Sequence, residues 1–129
     1  MNDNKPSILL IDDEPDLLEI CADAFEMEDY SVLTASDGKI GLDVINENSH
    51  IDVIISDSHM PEMTGLELLD ELSNSGKGYP LFYLSTGAID VTEDELKEKG
   101  ATGLISKPFD LDDILERIKT DLEARKNAI

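Results

Sequence analysis

The sequence is short of cysteine, of basic residues and of long apolar runs, and each shortage removes a class of protein. The single cysteine, Cys21, excludes an internal disulfide framework and a cysteine-built metal site within one chain. It falls at helical spacing with Leu17, Leu18 and Phe25 and reads as a packed core residue. Lys and Arg number 10 against 30 Asp and Glu, a formal net charge of −20. That balance argues against direct nucleic-acid binding, which needs basic residues to neutralise phosphates, and against anionic membrane surfaces. No apolar stretch is long enough to span a bilayer. The first residues, Met1 to Pro6, are polar and carry no signal-peptide pattern, so a cytoplasmic protein is expected. Internal repeats, low-complexity tracts and an interdomain linker are all lacking. A single domain over residues 1–129 is therefore expected, with its core over residues 6–125. At 129 residues and 40% hydrophobic content, such a chain buries a core without staples. The acidic excess has two readings, a solvated surface suited to a saline habitat or selection of basic partners, and composition does not separate them.

What is present is a regular alternation. Five short runs are apolar on nearly every residue: Ser7–Ile11, Ser31–Ala35, Val53–Ser56, Leu81–Ser85 and Gly103–Ser106. Runs of that kind suit strands covered on both faces, as in a parallel sheet. Amphipathic segments lie between them. Pro15 suits a first helical turn, followed by a stripe of Leu17, Leu18, Cys21 and Phe25. The segment 38–48 carries Ile40, Val44 and Ile45, and 65–74 carries Leu66, Leu68, Leu69 and Leu72, with Gly76 and Gly78 as stop signals. Thr92 to Glu95 fits a capping box opening a short helix that ends by Gly100. Asp110 is a good N-cap for the stripe of Leu111, Ile114, Leu115, Ile118 and Leu122. The pattern is a βα unit repeated five times, which folds as an α/β doubly wound parallel sheet with right-handed crossovers.

The chemistry is expected at the strand ends. Asp12 and Asp13 follow the first strand, Asp57 the third, Ser85 and Thr86 the fourth, and Lys107 the fifth. In a flavodoxin-like strand order, 2-1-3-4-5, the first and third strands are neighbours at the switch point, so the carboxylates converge. Three carboxylates in one pocket need a cation, and Mg²⁺ suits hard oxygen ligands while keeping places for water and phosphate oxygens. Asp13 and Asp57 are assigned as direct ligands, with Asp12 acting more through water. Asp57 is the expected nucleophile toward phosphorus. Pro108 keeps Lys107 extended, so its ammonium can reach across the sheet top toward Asp57. A hydroxyl from Ser85 or Thr86 can donate to a phosphoryl oxygen, and pattern alone leaves open which points inward. His59 lies at the expected pocket mouth, where its backbone carbonyl can reach a metal. His50 reads as surface. Pro61 rigidifies the loop after Asp57, and Gly65 permits close approach at the next helix.

Taken together, Asp12-Asp13, Asp57 with Met60-Pro61, Met63 and Gly65, the hydroxyl of Ser85 and Lys107-Pro108-Phe109 resemble the receiver domain of two-component response regulators, of the chemotaxis-type single-domain kind. The match covers essentially the whole chain. The resemblance implies that a histidine kinase or a histidine phosphotransfer protein supplies a phosphoryl group to Asp57. It implies Mg²⁺ held by Asp13, Asp57 and the carbonyl of His59, and Ser85 and Lys107 on the phosphoryl oxygens. It implies a signalling phosphoacceptor that promotes its own phosphorylation and dephosphorylation, rather than an enzyme acting on a separate substrate. The expected output is a protein-binding face made by residues 92–99, 103–106 and 111–125.

Two positions depart from the family pattern. Leu104 stands where the family often has Tyr or Phe, and Thr86 where it usually has Ala or Gly, which narrows access to Asp57. Two other functions compete. An aspartate-nucleophile phosphatase generally needs a second acid two residues on, where this chain has His59. A receiver-like module that binds partners without phosphorylation often loses part of the acid pocket, which is complete here.

Overall fold

The computed structural model describes residues 5–48, 50–60, 63–73, 80–87, 92–106 and 110–127. The elements alternate as expected: β1 Ser7–Ile11, α1 Pro15–Met27, β2 Ser31–Ala35, α2 Gly38–Glu47, β3 Val53–Asp57, α3 Gly65–Ser73, β4 Leu81–Thr86, α4 Glu93–Glu98, β5 Gly103–Ser106 and α5 Leu111–Asn127. All strand pairs are parallel, and the sheet order is β2-β1-β3-β4-β5. This is the flavodoxin-like doubly wound arrangement that the apolar runs predict. Among the described residues, no helix is long and apolar enough to cross a membrane.

The period-two geometry of a strand sorts the apolar runs into two cores. Ile8, Leu10, Val53, Tyr83 and Ile105 face one side and pack with Phe25, Ile114 and Ile118 of α1 and α5. Leu9, Ile11, Ile54, Phe82 and Leu84 face the other and pack with Leu68, Leu69, Leu72 and Leu96 of α3 and α4. Burying one such side chain fully stabilises the fold by about 1.5–3 kcal/mol. A one-residue slip of any strand would exchange the two sets, so the register is strongly held. Cys21 is half-buried against the α1/α5 side, in line with its packing role.

The ends of elements show where local chemistry overrides the apolar pattern. Strands β3 and β4 each run one residue further than their apolar runs, because Asp57 pairs with Ser85 and Thr86 with Ser106. The capping box at Thr92 and Glu95 is formed, and the Asp110 side chain accepts from the Asp112 N–H at 2.9 Å. Helix α2 departs from expectation. Ile40 is 43% exposed, and the buried face runs through Gly38 and Gly41 instead. The reason is steric: Ile11 fills the space beside residue 41, where a Cβ would lie 2.5 Å from its Cδ1. Gly76 and Gly78, the expected stops for α3, lie outside the described residues.

Candidate functional site

The site grows out of the pairing of β1 with β3. Ile11 pairs with Ser56, so the residues that follow, Asp12 and Asp57, leave the sheet side by side. Carboxylate oxygens of Asp12, Asp13 and Asp57 all lie within 4.8 Å of one another. The crevice is the switch point of the sheet, since β1 is flanked by β2 and β3. Each acid is oriented locally. The Asp12 carboxylate accepts from the Glu14 N–H at 2.9 Å, which turns the chain into α1 with Pro15 in its first turn. The Asp57 carboxylate accepts from the Ser58 N–H at 2.9 Å, and the same N–H reaches the Ser85 carbonyl at 2.9 Å. Asp57 is only 8% exposed, whereas Asp13 faces solvent. Two oxygens on one Mg²⁺ lie about 3–4 Å apart, given metal–oxygen bonds of about 2.1 Å. Oxygens within 4.8 Å of one another reach that spacing by small side-chain rotations, and the all-oxygen donor set is the kind a hard divalent cation takes.

The loop after Asp57 is pinned by a close approach. The Gly65 N–H donates to the Ser58 carbonyl at 3.2 Å. A Cβ on residue 65 would stand 2.5 Å from the Asp57 carbonyl oxygen and 2.5 Å from Leu84 Cδ1. Gly65 thus lets the start of α3 press against the backbone of the acid itself. A reciprocal cap, unremarked in the sequence reading, fixes this helix start: Thr64 N–H to Glu67 Oε1 at 2.8 Å and Glu67 N–H to Thr64 Oγ1 at 3.1 Å. Its signal was present as Thr-x-x-Glu ahead of an apolar run. Met60 is buried and anchors the loop from below. His59 is exposed at the mouth, with Nδ1 2.8 Å from the Ser58 hydroxyl, and His50 is exposed at the opposite end of β3. Pro61 lies outside the described residues.

Register separates the two candidate hydroxyls. Ser85 pairs directly with Asp57, while Thr86 is one step further and pairs with Ser106. Both are buried, but Ser85 joins Asp12 and Asp57 in lining a small cavity of about 30 Å³ under α1 and α5. The Ser85 Oγ has no hydrogen-bond partner among the described residues. A buried hydroxyl left so costs about 1–3 kcal/mol, which favours any state that gives it an acceptor. Lys107, Pro108 and Phe109 lie outside the described residues.

A second cluster, at the free edge of the sheet, was not legible in the sequence. The Leu104 N–H donates to Glu93 Oε2 at 3.0 Å, and its carbonyl accepts from Arg117 Nη1 at 2.9 Å. Arg117 Nη2 meets the same Glu93 oxygen at 2.7 Å. The hydrogen bond from Leu104, and then the Arg117 guanidinium, hold the Glu93 carboxyl below the usual carboxylate range. Arg117 also lies over the Tyr83 ring, 5.3 Å from its centre, and the Tyr83 hydroxyl donates to Asp121. Burial and that hydrogen bond push the Tyr83 phenol well up.

Comparison with known proteins agrees with this geometry. The sequence profile of the response regulator receiver domain matches residues 8–119. The transcriptional regulatory protein GlrR of Escherichia coli (strain K12) is 34% identical over 93% of this chain, and the response regulator SaeR of Staphylococcus aureus (strain USA300) is 29% identical over 92%. The chain spans 27% and 51% of the lengths of those two relatives. Among solved structures, a response regulator receiver domain protein from Clostridium thermocellum superposes with a TM-score of 0.86 at 29% identity, covering 96% of this chain and 99% of that one.

Proposed function

The chain belongs to the response regulator receiver domain family of two-component signalling, and from that premise we propose that Asp57 is its phosphoacceptor and that one receiver domain accounts for residues 1–129. The observation that carries the reading is the convergence of Asp12, Asp13 and Asp57 within 4.8 Å at adjoining strand ends, with Ser85, a buried hydroxyl that has no partner among the described residues, in register beside Asp57.

The donor is a phosphohistidine on a histidine kinase or a histidine phosphotransfer protein. An Asp57 carboxylate oxygen attacks phosphorus in line, the P–N bond breaks, and the imidazole nitrogen keeps the electron pair and takes up a proton. The Ser58 N–H fixes the plane of the attacking carboxylate. Ser85 donates its hydroxyl proton to a phosphoryl oxygen, and Lys107 places an ammonium on another. Asp13, Asp57 and the His59 carbonyl, with Asp12 through water, would hold Mg²⁺, which when bound would supply charge neutralisation on the transferring group. Water later attacks the acyl phosphate and restores Asp57, so the domain sets the lifetime of its own signal. The new charge biases the elements beyond β4 between two existing states. Output passes to a protein target through residues 92–99, 103–106 and 111–125.

The test is intact mass after incubation with acetyl phosphate and Mg²⁺, comparing the wild type with Asp57→Asn. One added phosphoryl group on the wild type alone, lost when Mg²⁺ is chelated beforehand, supports the reading. No adduct with acetyl phosphate and none with a phosphohistidine protein donor would overturn it.

A further inference from the structure

The free edge of β5 carries an ion pair that the phosphoryl chemistry does not use. Strand β5 ends the sheet order, so among the described residues Leu104 has no neighbouring strand on its outer side. An open edge of this kind exposes backbone groups that another chain can pair with. Here both backbone groups of Leu104 are taken, the N–H by Glu93 Oε2 at 3.0 Å and the carbonyl by Arg117 Nη1 at 2.9 Å. Glu93 comes from α4 and Arg117 from α5, and they meet each other at 2.7 Å. The two side chains thus wrap the edge from opposite faces of the sheet. Gly103 makes room for them, since a Cβ there would lie 1.9 Å from Arg117 Nη2 and 2.8 Å from Glu93 Oε2.

The same arginine is tied inward. It stacks on Tyr83, whose hydroxyl donates to Asp121, and Tyr83 stands two residues before Ser85 on the same face of β4. A shift of β4 at Ser85 therefore moves the ring on which Arg117 rests. Leu104 has no ring or polar side chain of its own, so its backbone groups are what this edge offers to neighbours.

We propose that Glu93 and Arg117 form a clasp over the free edge of β5 that keeps the α4–β5–α5 face closed before phosphorylation, and that phosphorylation of Asp57 opens it. The proposal rests on the reading of Asp57 as phosphoacceptor. The pair is of a kind a switch can reverse: its side chains are 36% and 41% exposed, and ion pairs at such positions hold weakly.

The test is amide hydrogen exchange at Leu104 in the full chain, with Mg²⁺ and with or without beryllofluoride as a phosphoryl stand-in, occupancy being followed by ¹⁹F NMR. In the unliganded protein, Glu93→Ala speeds Leu104 exchange roughly tenfold and leaves the β1 amides unchanged. Beryllofluoride produces a similar rise in the wild type and none beyond it in Glu93→Ala. Should Glu93→Ala fail to fold, Arg117→Gln, which leaves the acceptor for the N–H in place, gives a smaller rise. Bound beryllofluoride with unchanged Leu104 exchange in the wild type overturns the clasp and leaves the phosphoacceptor reading standing. No bound ¹⁹F resonance overturns the phosphoacceptor reading, and the clasp as its output with it.

Discussion

Two glycines with the same steric number make a matched experiment. A Cβ at position 65 would meet the Asp57 carbonyl oxygen and Leu84 Cδ1 at 2.5 Å each, with Ser56 Oγ at 3.2 Å. A Cβ at position 41 would meet Ile11 Cδ1, also at 2.5 Å. Non-bonded carbon contacts settle at about 3.5 Å, so each alanine needs roughly 1 Å of separation. At position 41 the obstacle is one side chain, Ile11, itself buried, and replacing a mid-helix glycine by alanine returns about 1 kcal/mol of helix propensity, which offsets part of the strain. Gly41→Ala should therefore cost less than Gly65→Ala. At position 65 the first obstacle is the Asp57 backbone, which no rotamer change moves, and buried Leu84 is a second. Overpacking of that kind costs about 1–3 kcal/mol.

The functional consequence is larger than the stability cost. Relief at Gly65→Ala comes from moving either the start of α3 or the peptide that carries Asp57. A displacement near 1 Å at a reacting group lowers rates by up to about 10²-fold. Urea denaturation of both variants gives the first quantity, and the initial rate of phosphorylation by acetyl phosphate with Mg²⁺ gives the second. The reasoning fails if Gly65→Ala matches the wild type in both, or if Gly41→Ala costs as much as Gly65→Ala.

Other perturbations probe separate links. Thr64→Ala removes the acceptor for the Glu67 N–H and should cost about 1 kcal/mol in urea denaturation; no change would deny the cap a role. Thr86→Ala should speed phosphorylation by acetyl phosphate, as a narrowed approach to Asp57 predicts; wild-type rates equal to those of the variant would count against it. The Glu93 carboxyl carbon, followed by ¹³C NMR, should titrate below an ordinary glutamate, because Leu104 and Arg117 favour its charged form. Its contribution is therefore present above the ordinary carboxylate range and lost as pH falls through the lowered pKa. In Arg117→Gln the value should rise only part of the way, since the larger cause, the Leu104 hydrogen bond, remains; no movement would sink the assignment. With a net charge of −20, phosphorylation by anionic acetyl phosphate should quicken as salt is added, and a rate independent of salt would show that the field does not reach the site.

The fold was legible because two-sided burial writes itself as short unbroken apolar runs, and the polar residue that ends each run marks the rim where ligands bind. Asp12, Asp13 and Asp57 could be placed together from strand order alone. Ser85 and Thr86 could not be told apart by apolar pattern; the resemblance named Ser85, and in the structure it is Ser85 that pairs with Asp57. Ile40 misled because the sequence pattern counts side chains, whereas α2 packs through Gly38 against Met63 and through Gly41 against Ile11. The edge clasp was invisible for another reason. Glu93 and Arg117 are 24 residues apart and become partners only once β5 is the outermost strand.

Charge is used in opposite ways at the two clusters. In the acid pocket, like charges within 4.8 Å repel by about 3 kcal/mol per pair at an effective dielectric near 20. Taken alone, that arrangement opposes folding, and the two apolar cores must offset it. Binding a divalent cation relieves the repulsion, so the same pocket that weakens the empty domain gives affinity to the bound one. At the β5 edge, opposite charges meet beside backbone groups, where solvent weakens the attraction. A site held under repulsion and an edge held by a weak attraction can be coupled with little energy. The weaker the attraction at the edge, the less a change of charge at Asp57 has to supply to move it, a condition for one phosphoryl group to act on the far edge of the sheet.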